Sequence, residues 1–340
     1  MPVSILDAAP LGPGMGAASA IAATVQVGQF AEAAGYHRVW LAEHHAAPHN
    51  VCSQPAILIA LVAARTSTIR VGSGGVMLPN HSPLSVAEQF HTLVAIHGAR
   101  IDLGLGRAGG SDPRTLTALG RRPGADTDEG FTADLVELTG FLSGEWPEGH
   151  PSNGIRVSPS GPPPPMFLLG SSVRSARRAG QLGLDFAYAR HLAPDAALQA
   201  ADEYRAAYAA AGHARPGRLI MTIGVVCADT SEAADEAALR SGLIRLRAAG
   251  ARAEGRTADS AELLDPRCTE AERAKVMHSY AASGFLIDDA EGVAAGLAEL
   301  VDSTGADEIM LASAEFDAAD RIRTLDAVAE GLAQRSAVPA

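Results

Sequence analysis

Residues 100–110 read RIDLGLGRAGG, which sets Gly104, Gly106 and Gly109 in the spacing G-x-G-x-x-G. After a strand this spacing suits a dinucleotide turn, because bare glycine backbone lets a pyrophosphate approach the start of a helix. The same stretch carries Arg107, whose guanidinium can hold a phosphate in a two-pronged grip. Other stretches also carry reactive groups. EHH joins Glu43, His44 and His45; imidazole is the usual acid–base group near neutral pH, and a neighbouring carboxylate can orient it. GSGG (Gly72–Gly75) exposes backbone to a flat ligand, and LPNHSP with His81 follows it. In LGSSVRSARRAG an apolar run ends at Gly170, and Ser171, Ser172 and Ser175 open a helix whose free N–H groups attract an anion. ARH contributes Arg190 and His191.

Each of these has a plainer reading. A histidine pair is often one packed and one solvated residue, GSGG suits a simple turn, and the serines suit an N-cap without a ligand. Arg107 and the serine-rich helix start together favour a phosphate pocket over those readings. His45 and His49 stand four apart, as zinc ligands do. Pro48 disfavours the single helical face such a pair needs, so no metal is expected.

The elements that must carry these residues alternate. Apolar runs at Val3–Leu6, Val39–Ala42, Ile69–Gly72, Ile101–Leu103, Met166–Leu169, Phe186–Ala189, Leu219–Val226 and Glu308–Leu311 read as strands. Segments with helical apolar spacing lie between them, including Ala20–Ala34, Pro55–Arg65, Pro83–His97 and Ala196–Ala210. Eight βα units fit an α/β fold of the (β/α)8 barrel type better than an open doubly wound sheet. In such a barrel the chemistry sits in loops after the strand ends, and every reactive stretch named above falls there. A dinucleotide-binding Rossmann turn should follow the first strand, whereas three βα units precede Gly104. Asp126, Asp128 and Glu129 lie at the right distance for its acidic residue, but in GRRPGADTDEG, which is no strand. The glycines instead read as a tight strand exit that delivers Arg107.

Two segments break the alternation. Ser143–Met166 is rich in Pro, Gly and Ser and reads as a surface loop, with a small strand expected at Ile155–Val157. Residues 227–285 exceed what one crossover helix needs, and are expected to form an insertion between strand 7 and helix 7, either a lid or a disordered connector. Within it EGRTADSAELLDP reads as a loop.

Composition narrows the class. The chain has 340 residues, 47% hydrophobic and 4% aromatic, with a formal net charge of −12, which argues against a nucleic-acid binder. Its cations are nearly all arginine, with Lys275 the only lysine. The first sixteen residues carry no cation, so no secretory signal is expected. The longest apolar run, PAILIALVAA, is shorter than the ~20 residues a membrane span needs. Cys52, Cys227 and Cys268 are far apart and suggest neither a disulfide framework nor a C-x-x-C site. A reduced cytoplasmic protein is the expectation.

VWLAEHH, IRVGSGGVMLPNHSPLSVAEQF, RIDLGLGRAGG and FLLGSSVRSARRAG, in this order, resemble the signature segments of the bacterial luciferase-like flavin monooxygenases. The likeness continues through FAYARHLAP and GADEIMLASAEFD. Within the family the chain is most similar to the single-component group that includes oxygenases of aromatic polyketide biosynthesis, a tie to antibiotic biosynthesis. The resemblance implies that residues 1–340 form one barrel domain binding reduced FMN, with the deazaflavin F420 as the alternative. It implies that His44 and His45 border the flavin and substrate cavity. It further implies a non-proline cis peptide at Gly74–Gly75 under the flavin ring, and phosphate binding by Arg107, Ser172 and Ser175 beside Gly170 and Ser171. Gly106 replaces the reactive cysteine of true luciferases and Ser171 their glutamate, so luminescence is not expected.

The implied activity is a two-component monooxygenase. A separate NAD(P)H:flavin reductase would supply FMNH2, and O2 would react through a C4a-(hydro)peroxyflavin to hydroxylate, epoxidise or Baeyer–Villiger-oxidise a small organic substrate, an aromatic polyketide among the candidates. His44 is the expected proton-steering group, with His45 second and Glu43 orienting one imidazole; His81 and His191 are expected to line the substrate cavity. A homodimer is also expected. An F420-dependent hydride-transfer oxidoreductase and a non-catalytic flavin-binding barrel are the alternative readings.

Overall fold

The computed structural model describes residues 1–107 and 112–337. In chain order its strands are β1 (Val3–Asp7), β2 (Arg38–Leu41), β3 (Arg70–Ser73), β4 (Val76–Met77), β5 (Ile101–Gly106), β6 (Met166–Gly170), β7 (Asp185–Ala189), β8 (Leu219–Ala228), β9 (Leu286–Asp289) and β10 (Glu308–Ser313). Every pairing between them is parallel, and β10 pairs with both β1 and β8, so eight strands close into a ring. The short strands β4 and β9 attach to β5 and β8 outside that ring. The helices are α1 (Ala17–Ala33), α2 (Pro55–Ala63), α3 (Pro83–His97), α4 (Pro113–Ala118), α5 (Asp128–Ser143), α6 (Val173–Leu182), α7 (Ala197–Ala210), α8 (Ser231–Ala253), α9 (Ser260–Leu263), α10 (Glu270–Ala282), α11 (Ala290–Thr304) and α12 (Ala318–Ala337). The fold is a (β/α)8 barrel. Among the described residues no helix is long and apolar enough to cross a membrane.

Side chains alternate in and out along each strand, and the inward set changes character with height. At the amino-terminal ends lies a buried ionic floor. Arg38 grips Glu308 with Nε (2.7 Å) and Nη2 (2.9 Å) and reaches Asp102 with Nη1 (2.6 Å). Arg70 Nε and Trp40 Nε1 donate to the same Asp102 at 3.0 and 3.1 Å, and Ser4 Oγ donates to Glu308 at 2.5 Å. Two cations face two anions, so the floor carries no net charge. The middle layer is apolar: Leu6, Trp40, Phe167, Ala187, Ile220 and Met310 pack as one cluster. Trp40 meets Phe167 edge-on at 4.9 Å.

The top layer is small. Ala42, Gly74, Gly106, Ala189 and Ala312 line a cavity there. Gly104 and Gly106 therefore lie inside β5 and do not form a tight exit from it, as the sequence reading had it. A Cβ at Gly104 would sit 2.1 Å from Ser73 O, and one at Gly106 would sit 2.7 Å from Met77 Cε. Their spacing of two is the period of a strand facing a crowded interior. Gly109 lies outside the described residues.

Two further corrections concern the irregular segments. Residues 155–157 form no strand, and Ile155 is exposed; with no neighbouring strand, the stretch has no ladder to join. EGRTADSAELLDP holds a short helix, α9, because Asp259 caps it by accepting from the Glu262 N–H at 2.8 Å. Between β8 and α11 the chain runs through α8, α9, α10 and β9. Arg190 ties this excursion to the rim through a 2.6 Å hydrogen bond to Gly284 O.

Arg38→Ala should remove about 3–5 kcal/mol of stability, because it strands two buried carboxylates. Arg70→Ala should cost clearly less, since that side chain is 24% exposed and water can replace it. Urea unfolding midpoints check the order, and equal losses would contradict this account of the floor.

Candidate active site

The cavity over the carboxyl ends of the strands has a volume of about 660 Å3, within the range of small-molecule sites. His44 enters its wall from the turn after β2, and His191 from the turn after β7. Arg107 follows β5, and Ser171, Ser172 and Ser175 follow β6.

Glu43 is the hub on one side. It is 1% exposed, and four donors hold its carboxylate. His45 Nε2 lies 2.8 Å from Oε1, and His81 Nε2 lies 2.9 Å from Oε2. The Met77 N–H donates to Oε2 at 3.0 Å and Asn80 Nδ2 to Oε1 at 3.2 Å. Burial pushes this carboxyl up, but the hydrogen bonds from His81, Met77 and His45 outweigh it and hold it below the ordinary carboxylate range. The ligand atoms of Glu43, His45 and His81 all lie within 4.8 Å of one another, a grouping distinct from the His45–His49 pair that the sequence raised.

Glu43 therefore orients two imidazoles, and neither is that of His44. Asn50 takes that role: its Nδ2 donates to His44 Nδ1 at 3.2 Å. The acceptor role of Nδ1 places the ring proton on Nε2. Burial pushes the imidazole below its ordinary value, with the Glu43 charge opposing. His44 is thus a neutral ring with one N–H to offer, in the cavity wall. His45 and His81 are bound to Glu43 and do not line the cavity, which corrects the expectation for both.

Across the barrel lies an anion corner. Helix α6 begins in a capping box: Ser172 Oγ accepts from the Ser175 N–H, and Ser175 Oγ accepts from the Ser172 N–H, both at 3.2 Å. Gly170 is bare because a Cβ there would meet Ser175 Oγ at 2.1 Å. Beside the helix start Arg107 pairs with Asp128, which also binds Arg178 at 2.9 Å and Arg174 at 3.4 Å. Three guanidiniums against one carboxylate leave the corner positive. Its positive charge, its helix start and its place in the cavity wall suit a phosphate.

Of GSGG, Gly74 lines the cavity and Gly75 does not. The Gly74–Gly75 peptide is cis. A Cβ on Gly75 would strike Gly104 O at 2.9 Å, and one on Gly74 would strike Leu6 Cδ1 at 2.5 Å. These glycines therefore serve close packing as well as access. His191 is in the wall; its backbone N–H donates to Thr222 O at 3.3 Å, and its Nδ1 has no partner among the described residues. Burial pushes its imidazole down.

Sequence reading missed Asn50, Phe285, Glu315 and Arg321, all of which line the cavity. Phe285 comes from the excursion, with its ring packed over Gly224. The signal for Asn50 was available, because it stands six residues after His44 in a turn where polar side chains have short reach. No local pattern marks the other three.

Comparison with known proteins shows the family. Residues 1–308 match the model of the luciferase-like monooxygenase family. A luciferase-like monooxygenase of Escherichia coli is 38% identical over 327 residues, 95% of this chain and 94% of its own. The N-acetyl-S-alkylcysteine monooxygenase of Bacillus subtilis is 42% identical over 191 residues, 55% of this chain and 56% of its own. The crystal structure of apo-MsnO8 superposes with a TM-score of 0.79 at 32% identity, covering 100% of this chain and 99% of that one. With the barrel, the cavity over its strand ends and these matches together, the chain belongs to the luciferase-like monooxygenase family.

Proposed function

We propose that this protein is an FMNH2-dependent monooxygenase that oxygenates a small organic substrate, with a separate reductase supplying the reduced flavin. The observation that carries the reading is the placing of the anion corner and neutral His44 in the wall of one cavity. Arg107 and the start of α6 at Ser172 and Ser175 would hold the FMN phosphate. The small residues at the barrel top, Ala42, Gly74 and Gly106, line the cavity and would leave room for a flat ring.

When bound, reduced FMN supplies the electrons that activate O2. The chain does the rest. Asn50 fixes the His44 tautomer, and His44 Nε2 holds a proton at the reacting centre. Phe285, beside the Arg190–Gly284 bond, lines the cavity on the excursion side, where its apolar ring would limit water at the reacting centre. The relative from Bacillus subtilis is named for thioether substrates, which makes an S-alkyl organic acid a reasonable first substrate to assay.

Anaerobic titration with FMNH2 and with reduced F420 tests the cofactor. FMNH2 should bind the more tightly, and Arg107→Gln should weaken it by roughly 10- to 100-fold, as loss of a charged hydrogen bond implies. F420 preference would point to the hydride-transfer reading, and an Arg107→Gln variant with unchanged affinity would remove Arg107 from the phosphate site. His44→Ala should keep FMNH2 binding and lower substrate oxygenation by about 10²–10⁴. The pH profile adds a second check. Because the folded value of His44 lies below the ordinary imidazole value of about 6.5, the neutral ring persists through that pH, and the rate falls only as pH drops through the depressed value. His44→Ala should lack that acid limb, and an unaltered profile would remove His44 from the proton path.

For the homodimer we propose the outer face of α2 and α3. Helix α2 reads PAILIALVA, apolar on every side, and Ile57 on it and Ile96 on α3 are 66% and 65% exposed. Ile57→Asp should shift the mass in multi-angle light scattering from dimer to monomer, whereas a monomeric unmodified protein would rule the dimer out.

A further inference from the structure

The anion corner lies at β5 and β6. On the far side of the ring, where β10 meets β1, a second polar group lines the same cavity and has no part in the function proposed above. Arg321, in the first turn of α12, is 3% exposed. Its Nη1 donates to Asp7 Oδ2 at 2.6 Å, at the end of β1. Its Nε and Nη2 have no hydrogen-bond partner among the described residues. These two nitrogens are not an arbitrary pair. The Nε–H bond and one Nη2–H bond run parallel along one edge of the guanidinium, and that edge is the fork that receives both oxygens of a carboxylate.

Asp7 is already satisfied, since its Oδ1 accepts from the Ala9 N–H at 2.6 Å. It therefore neutralises Arg321 without using the fork. A buried guanidinium edge left unpaired is costly, and buried polar groups are nearly always paired with protein, water or a ligand. The neighbouring groups favour an anion. Arg245, also in the cavity wall, reaches in beside β10, bonded to Ala314 O and stacked over Phe316 at 4.7 Å. Glu315 lies against the same cavity, where burial pushes its carboxyl up. Arg245 and Arg321 thus bring two guanidiniums to this end of the cavity, and only Nη1 of Arg321 is bound to Asp7. Between the two ends the wall is largely apolar, with Leu6, Leu169, Met310 and Phe285.

We propose that this end of the cavity is a substrate carboxylate site, in which Arg321 receives the carboxylate of an organic acid on its Nε–Nη2 edge while the apolar body extends toward His44. This deepens the oxygenase reading and rests on it only in assigning the opposite corner to the cofactor.

The test uses 3-phenylpropanoate, its methyl ester and its amide as probes, with binding to the full chain followed by isothermal titration calorimetry. The acid should bind roughly tenfold or more tightly than the ester or amide. Arg321→Gln should abolish that preference, and Arg321→Lys, which keeps the charge beside Asp7 but loses the fork, should lose most of it and protects the test against misfolding of the first variant. FMNH2 affinity should stay within about twofold in both, since a group at the far end of the cavity adds independently. Acid and ester binding alike, including neither binding, would overturn the proposal, as would a preference that survives Arg321→Gln or one that is lost instead in Arg107→Gln. If FMNH2 fails to bind the unmodified protein while the Arg321-dependent preference holds, the cofactor reading falls and the carboxylate site stands.

Discussion

The buried guanidinium of Arg38 is the interaction on which the barrel's shape depends. It ties β2 to β5 through Asp102 and to β10 through Glu308, so three strands spread round the ring share one cation. A desolvated charge of this kind tolerates little displacement, because a buried ionic partner left unpaired costs several kcal/mol. The floor is thus more demanding of register than an apolar layer would be. A slip of one residue in any of the three strands would turn a charge outward and strand its partners.

From the floor upward, the interior is a problem in volume. Trp40 is fully buried and occupies the barrel centre. Its ring fits because Gly72 and Gly74 have no side chains: a Cβ at either would come within 2.9 Å of Trp40. Above it the inward positions fall to alanine and glycine, and the unfilled space is the cavity. The same residue types that close the lower barrel around one large ring open the upper barrel for a ligand. His44 stands at that boundary, which explains how it is both shielded enough to stay neutral and placed to meet a substrate.

What the sequence made legible follows from this division. Strand and helix periods are local, so the eight strands and the barrel were readable, with ends differing by a few residues. Arg107 and the serines after β6 were readable too, because strand ends in a parallel barrel converge whatever lies between them. The glycines read as a strand exit, since G-x-G looks the same whether it ends a strand or lies within one against the carbonyl of Ser73. The expectation that Glu43 orients one imidazole holds for His45, because alternation along an extended turn points residues 43 and 45 the same way and residue 44 to the other side; that Glu43 also binds His81 was not readable from adjacency. Arg321 was beyond reach, as its partner Asp7 lies more than three hundred residues earlier.

The two ends of the cavity answer the same electrostatic demand by different means. At β5 and β6, Arg107, Arg174 and Arg178 would repel one another, and Asp128 at the start of α5 holds them together. The arginines in turn keep that carboxyl below its ordinary range despite its partial desolvation. The corner is exposed enough for water to screen it, so it can hold a surplus of positive charge with no ligand bound. The end at β10 and β1 has no such relief, because Arg321 is shut away from solvent. There Asp7 already holds Arg321 through Nη1, which leaves the Nε–Nη2 edge without a partner among the described residues. A screened corner of high charge suits a doubly charged phosphate. A desolvated fork of low net charge suits a single carboxylate, because the desolvation that makes the empty site costly also makes the filled one selective against esters and amides of the same shape.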